Sequence, residues 1–359
     1  PVHSCYCGGH QRGCSYGRRS SAHGAGRNIV RGTMPNTPFQ ATAKSAPRLN
    51  GTTLGTSRRG IGPKKEVNNM RVRIAVLGAT GVYGRHLVPR LTAAGYRVRA
   101  LARRPEAAAV SAACGAELAA ADIFDEASLR AGLAGCDVAI NLATSLPGPT
   151  SKGDYAKNDQ LRREGTPIFV RACRDAGVPR ILQQSIALTH AGGADAWADE
   201  TTFHPVGRQG VAAAAISAVR TMEATIQESG LDWLVLRGGL FYGPGTGFDD
   251  DWFTRARAGK LRMPEEGNDY VSLVHIADMA VATVAAVGHW PSRQALIVAD
   301  DHPAPWRDVL TYLCAVAGAS PPQPGGRALM PSFRVTNRRA REVLSWAPSY
   351  ADYRAGLVR

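Results

Sequence analysis

The sequence predicts an α/β fold, a doubly wound parallel sheet with a small C-terminal lobe, from three observations. From Arg71 onward, apolar runs of strand length alternate with segments of helical spacing, the order that builds parallel sheets from repeated strand–helix–strand units. A turn punctuated by glycines, Gly78-Ala-Thr-Gly81-Val-Tyr-Gly84, follows the first strand pattern and opens a helix. The 359-residue chain is 44% apolar, and its part beyond position 69 is long enough to bury roughly three quarters of its unfolded surface.

Residues 1–69 are rich in Gly, Ser, Arg and Thr and keep no period of 2 or 3.6, so they are read as a disordered basic leader. The formal charge of +14 is concentrated there: eleven Lys/Arg against one acid, Glu66, give +10, leaving only +4 on residues 70–359. A nucleic-acid groove would lie on the folded body, so this division argues against such a partner. An Arg-rich, Ser-rich, acid-poor leader has the marks of a transit peptide, but its glycines and prolines leave no amphipathic helix. A cytoplasmic location is therefore expected, with organellar import as the alternative, and Met70 is the candidate functional start. Cys5, Cys7, His10 and Cys14 have nothing packed around them to orient a metal site, and no metal is expected. The remaining cysteines, Cys114, Cys136, Cys173 and Cys314, are dispersed without a C-x-x-C spacing, which fits a reducing compartment. No apolar run approaches the 18 or so residues that a membrane-spanning helix needs.

The first strand is expected at Val72–Leu77, followed by the glycine turn and a helix through Leu91. Gly78 permits the tight turn, Gly81 lets backbone N–H groups approach a pyrophosphate, and Gly84 lets the helix pack against the strand, with phosphates at the positive helix end. An ordinary strand-to-helix turn is the alternative. A second strand, Tyr96–Ala102, ends in Arg103-Arg104, 19 residues after Gly84. An NAD-preferring site carries an acid there for the ribose 2′-OH, whereas a guanidinium can grip a 2′-phosphate, so NADP(H) is expected over NAD(H). The alternative is a solvated pair at a helix start. A third strand at Glu117–Ala120 leads to Asp122-Ile123, a helix follows over Asp125–Leu133, and a fourth strand over Asp137–Ala143.

With Gly78-x-x-Gly81-x-x-Gly84, Asp122 after the third strand and Asn141-Leu-Ala-Thr144 after the fourth, the chain resembles the short-chain dehydrogenase/reductase superfamily, in its extended and atypical branches, the NAD-dependent epimerase/dehydratase type. The likeness runs on through Glu164-Gly-Thr-Pro, Gly230-Leu-Asp-Trp-Leu-Val-Leu-Arg237, Phe241-Tyr-Gly-Pro-Gly245, Val274-His-Ile-Ala-Asp278 and Phe333–Arg341, covering Met70 to about Leu357. It implies a Rossmann core over residues 70–242 and a substrate lobe over 243–359, interleaved with the last core strands. It also implies cofactor contacts from Gly78, Thr80, Gly81, Val82, Tyr83 and Gly84. Asp122 and Ile123 would bind the adenine, while Ala143 and Thr144 would pass beneath the ribose and pyrophosphate. For Asp122 the alternative is a cap on the following helix.

In this superfamily the chemistry rests on a Ser after the fifth strand and a Tyr-x-x-x-Lys on the next helix. Ser185, after Arg180–Gln184, matches the serine. Between Ile186 and Gly230 there is no tyrosine and no lysine. Counted back from Glu223, which resembles the family's helix glutamate, the pair falls on Ala215 and Val219, which cannot carry a proton. Three outcomes follow. Another acid serves, with His190 and His204 on the loop after the fifth strand and Tyr242 at the mouth of the cleft as candidates; Arg220 binds an anionic group; or the fold holds NADP(H) without turnover. Trp197, Phe203, Phe248, Trp252 and Phe253 are candidate pocket lining or satellite core. Asp249-Asp250-Asp251 argues against a nucleotide sugar, for whose anion only Lys260, Arg262 and Arg327 are nearby. The expected function is an NADP(H)-dependent oxidoreductase or epimerase-like enzyme acting on a small molecule. Its rival is a non-catalytic NADP(H)-binding accessory or redox sensor similar to the nucleotide-binding accessory subunit of respiratory complex I. A homodimer is compatible with either.

Overall fold

In the computed structural model, which describes residues 69–148, 151–203, 211–327 and 330–358, the first apolar run forms β1 (Arg73–Leu77) and the glycine turn opens α1 (Val82–Ala93). The cysteine cluster of the leader and His204 lie outside the described residues. The alternation continues through β2 (Arg97–Ala102), α2 (Ala109–Ala113), β3 (Glu117–Ala120), α3 (Glu126–Leu133) and β4 (Val138–Asn141). After β4 come α4 (Tyr155–Gln160), a π-helical turn (Leu161–Gly165), α5 (Thr166–Asp175), β5 (Arg180–Ile186), α6 (Val211–Gln227) and β6 (Asp232–Gly238).

A single parallel sheet results. β4, β1, β2 and β3 lie side by side in that order, β5 and β6 extend the sheet beyond β4, and β9 (Gln294–Val298) closes it outside β6. Strand order reverses between β1 and β4, which puts a ligand crevice at their carboxyl ends. The last strand comes from beyond residue 243, so residues of the C-terminal third complete the central sheet.

Each sheet face has its own apolar core. On one, Leu87, Val88 and Leu91 of α1 meet Met279, Ala282 and Ala286 of α8 (Ile276–His289) and Leu344 of α10 (Arg338–Leu344). On the other, Leu129 and Leu133 of α3 meet Phe169 and Cys173 of α5, with Ile226 of α6. A third cluster forms the lobe: Phe253 of α7 (Phe248–Arg257), Leu273 of β8 (Leu273–His275), Leu313 of α9 (Trp306–Val316), Phe333 and Tyr353. The short β7 (Leu240–Tyr242) runs parallel to β8. Among the described residues no helix is long and apolar enough to cross a membrane, and no group of three or more ligand-type side chains could hold a metal.

The C-terminal segment is fastened over the lobe by the buried Asp278 and His275 and by the backbone of Asp301. Asp278 accepts from the Tyr350 backbone N–H at 2.8 Å, the Asp301 N–H donates to the Ala351 carbonyl at 2.9 Å, and His275 stacks on Tyr350. Beneath them lies Asp300, 2% exposed. Burial and then the neighbouring Asp352, Asp301 and Asp278 push its carboxyl up to about 8, against a smaller opposing pull from the His302 backbone N–H. The folded state thus holds a proton that the unfolded chain releases near the ordinary 3.8. The stabilisation this proton represents is complete below about 3.8 and is lost progressively as pH rises through about 8. Asp300→Asn should therefore melt above the wild type at pH 8, with the gap shrinking towards pH 4; a gap that does not change with pH in thermal melts would exclude the buried proton.

Candidate active site

At the crevice, Gly78 has φ of +83°, and a Cβ on it would lie 2.9 Å from the Leu142 carbonyl carbon. Only a bare backbone lets the turn after β1 approach the end of β4 this closely. The end of β4 is fixed in turn by the buried Asn141, whose Oδ1 accepts from the Ala143 N–H at 3.1 Å while its Nδ2 donates to Gln183 Oε1 at 2.9 Å. Gly81 stands at the N-cap of α1 with no side-chain cap, leaving the first helix N–H groups to an anion. Gly84 faces Ala79, where a Cβ would lie 2.5 Å from Cα. Val82 is half-buried beside this end. Tyr83 is turned inward: it donates to the Thr283 hydroxyl, which donates to the Met279 carbonyl, and burial holds its phenol well above the usual range. Only its backbone faces the turn. The Thr80 side chain is half-buried at the same turn.

Arg103 and Arg104 are both exposed just beyond the end of β2. Among the described residues neither joins an ion pair. Asp122 accepts from the Phe124 N–H at 3.0 Å in a local turn, and the cap of α3 is Asp125, which accepts from Ala127 and Ser128. The capping alternative thus falls to the neighbouring acid. Ile123 is buried, and its side chain fills the space over Gly165 in the π-helical turn. Ala143 is half-buried and Thr144 exposed at the end of β4.

The catalytic candidates are not brought together. Ser185 lies inside β5, beside Arg237 of β6. It is 3% exposed, and its hydroxyl donates to Glu223 Oε1 at 2.5 Å. Glu223 is held from the other side by Arg237, Nη2 to Oε2 at 2.6 Å and Nε to Oε1 at 3.0 Å. The serine's one proton is committed to this ion pair. Tyr242, expected at the mouth of the cleft, is fully buried instead, and its hydroxyl donates to the Asp352 carbonyl at 3.2 Å. Burial and the nearby Asp300 raise its pKa, and its ring packs against Gly356, so it is a core residue of the lobe. His190 is buried as well, with Nδ1–H donating to the Thr202 carbonyl at 2.5 Å. Burial and Arg237 lower it to about 4, so the ring is neutral. On α6, Val219 is fully buried and Ala215 half-buried, while the Arg220 guanidinium lies 5.8 Å from the Phe203 ring centre.

Among the substrate-lobe candidates, Phe248, Trp252 and Trp306 form a half-buried aromatic series with centroids 6.2 and 5.9 Å apart. Phe253 is core. Trp197 is exposed and stacks on Arg334 at 4.4 Å, which also covers Tyr270. Asp249 accepts from Thr246 Oγ1 at 3.1 Å, and burial raises its carboxyl; Asp251 pairs with Arg255 at 2.8 Å. Lys260, Arg262 and Arg327 are exposed. The Glu223–Arg237 pair has a role the sequence reading missed, although its signal was present: an acid in an Ala-rich helix and an arginine ending the strand run Leu-Val-Leu.

A family described as NAD(P)H-binding matches residues 78–286. A 3-diazoavenalumate denitrifying reductase from a Streptomyces species is 35% identical over 314 residues, which cover 80% of this chain and all of that protein. A 4-hydroxy-2-methyl-3-oxo-4-farnesyl-3,4-dihydroquinoline-1-oxide ketoreductase from Stigmatella aurantiaca is 27% identical, covering 69% of this chain and 74% of that one. Among solved structures, the UDP-glucose 4-epimerase of Thermus thermophilus in complex with NAD superposes with a TM-score of 0.64 at 20% identity, covering 80% of this chain and 96% of that one.

Proposed function

Because the chain belongs to the NAD(P)H-binding family, within the extended short-chain dehydrogenase/reductase superfamily, and is an NAD(P)-dependent oxidoreductase, we propose that it is an NADPH-dependent reductase whose substrate takes up hydride without a proton from the tyrosine–lysine position. The carrying observation is at that position: Ala215 and Val219 stand there, and the Ser185 proton is already donated to Glu223. The bound nicotinamide would supply the hydride. Gly78, the α1 N-terminus and the end of β4 would hold the pyrophosphate, and Arg103 with Arg104 the 2′-phosphate.

A ketone needs both a hydride and a proton, and a missing general acid costs about 10²–10⁴-fold. A diazonium carbon needs only the hydride: a C–H bond forms, the C–N bond breaks, and its electron pair leaves with dinitrogen. That balance fits this site, and the Streptomyces relative is named for reducing a diazo compound with loss of nitrogen. The reductase names of both relatives weigh against the accessory-protein reading.

The test is to mix the protein with NADPH and either an arenediazonium salt or a matched aryl ketone, and to follow cofactor oxidation and gas release above the rate without protein. Dinitrogen and the arene in step with NADPH consumption are expected, with transfer of deuterium from C4-labelled cofactor and little change on His204→Gln. Preferential ketone reduction, or loss of turnover in that variant, would overturn the proton-free reading. Cofactor binding without any turnover would restore the accessory one. Arg103→Asp should weaken NADPH about tenfold or more and leave NADH nearly unchanged; equal loss for both would remove the 2′-phosphate assignment.

A further inference from the structure

Directly after the third glycine of the turn, Arg85 does not project away from the helix start but reaches back over it. Its Nη1 donates to the Thr80 carbonyl at 3.2 Å, while its backbone N–H donates to the Gly81 carbonyl at 3.0 Å. The Gly243–Gly247 loop, which joins β7 to α7, comes down on the same spot. A Cβ on Gly245, whose φ is +85°, would lie 3.5 Å from Arg85 Nη2 and 4.0 Å from Val82 Cγ1. The neighbouring His86 ring is hydrogen-bonded to the Pro244 carbonyl at 2.8 Å, which ties that loop to α1. The guanidinium therefore stands between two glycine-bearing segments that leave room around it.

Arg85 is exposed, and none of the ion pairs among the described residues includes it. One of its five N–H donors is used on Thr80, which aims the planar group without neutralising it. The adjacent α1 N-terminus has no side-chain cap and favours negative charge.

We propose that Arg85 is a ligand of the cofactor pyrophosphate, closing over the diphosphate from the side opposite the α1 backbone N–H groups and beneath the Gly243–Gly247 loop. This rests on the cofactor reading above but assigns a different phosphate from the one given to Arg103. Arg103 follows β2, where only a 2′-phosphate would distinguish the two nicotinamide cofactors. Arg85 lies at the turn after β1, where NADPH, NADH and ADP all present the same diphosphate. The two arginines should therefore separate by ligand.

The experiment compares wild type, Arg85→Ala and Arg85→Lys by calorimetric titration of the full chain with NADPH, NADH, ADP and 2′-AMP, at low and at physiological salt. Arg85→Ala should bind NADPH, NADH and ADP about tenfold more weakly at low salt, with a flatter salt dependence, and 2′-AMP as the wild type does. Arg85→Lys should fall between, because a point charge replaces a bidentate fork. Since Arg85 is exposed, an unchanged melting temperature without ligand is expected alongside. Wild-type affinity for ADP in Arg85→Ala, or a loss confined to NADPH and 2′-AMP, would overturn the assignment while leaving the cofactor reading intact. A wild type that binds none of the four ligands would overturn both.

Discussion

Arg237→Leu is expected to destabilise the protein by about 3–5 kcal/mol, the usual cost of leaving one member of a buried ion pair without its partner. Glu223 and Arg237 are 7% and 4% exposed, and three hydrogen bonds join them. With Arg237 gone, the Glu223 carboxylate would keep, among the described residues, only the Ser185 hydroxyl in a buried site. Urea denaturation of Arg237→Leu, Glu223→Leu and the double variant reads the effect as a cycle. The double variant should recover much of the loss, because removing both charges also removes their desolvation penalty. Near-additive single effects would mean that the two side chains act independently. The consequence reaches the candidate site, since Glu223 of α6 accepts the Ser185 proton of β5 and pairs with Arg237 of β6, tying the ends of both strands to the helix.

The second large effect is expected at Gly84. A methyl group there would lie 2.5 Å from Ala79 Cα and 2.6 Å from its carbonyl carbon. Backbone atoms cannot rotate away as a side chain can, so Gly84→Ala must displace α1 from the turn. Overpacking of this kind costs about 1–3 kcal/mol, and because the displaced element is the one proposed to offer its N–H groups to the phosphates, cofactor affinity should fall at least about tenfold with it. Gly81→Ala is the control: its Cβ would sit 3.2 Å from the Gly78 carbonyl oxygen, a strain that a small shift relieves. Melting curves with and without NADPH should show Gly84→Ala losing both stability and the cofactor-induced upshift, and Gly81→Ala keeping most of its stability without ligand. Equal behaviour of the two would mean that close helix–strand contact is not what the third glycine provides.

Local sequence rules reached the elements well because those elements are locally encoded. The run at 73–77 is apolar and buried along nearly its whole length, those at 97–102 and 180–186 are buried over most of theirs, and the edge strand at 117–120 carries a short apolar centre, while Gly78 and Gly84 stand where a Cβ would meet backbone. Boundaries shifted where pairing decided them. Ser185 belongs to β5 and does not follow it, because its strand remains paired with β6 as far as Ile186. The helix cap went to Asp125 because its backbone is extended where the helix begins, while Asp122 turns locally on Phe124.

Side-chain direction was less accessible. Tyr242, His190 and Ser185 are polar residues on or beside loop-like sequence, which suggests a cleft, yet all three are buried, with the Tyr242 hydroxyl and His190 Nδ1 on carbonyls and the Ser185 hydroxyl on a carboxylate. Burial depends on what packs from distant sequence: Gly356 and Asp352 on Tyr242, Thr202 on His190, Glu223 on Ser185. No periodicity within a short window carries that information.

The sequence by itself determined the parallel α/β fold, the glycine turn that opens α1 and the absence of tyrosine and lysine between Ile186 and Gly230, because these depend on residue type and near-neighbour spacing. Only the tertiary structure decided which polar groups are spent internally and which are left for a ligand. The reason is physical: a hydrogen bond or ion pair that removes a side chain from chemistry is made between residues far apart in the chain, as Ser185 with Glu223 and Tyr242 with Asp352, while the exposed arginines at 85, 103 and 104 keep charge to offer.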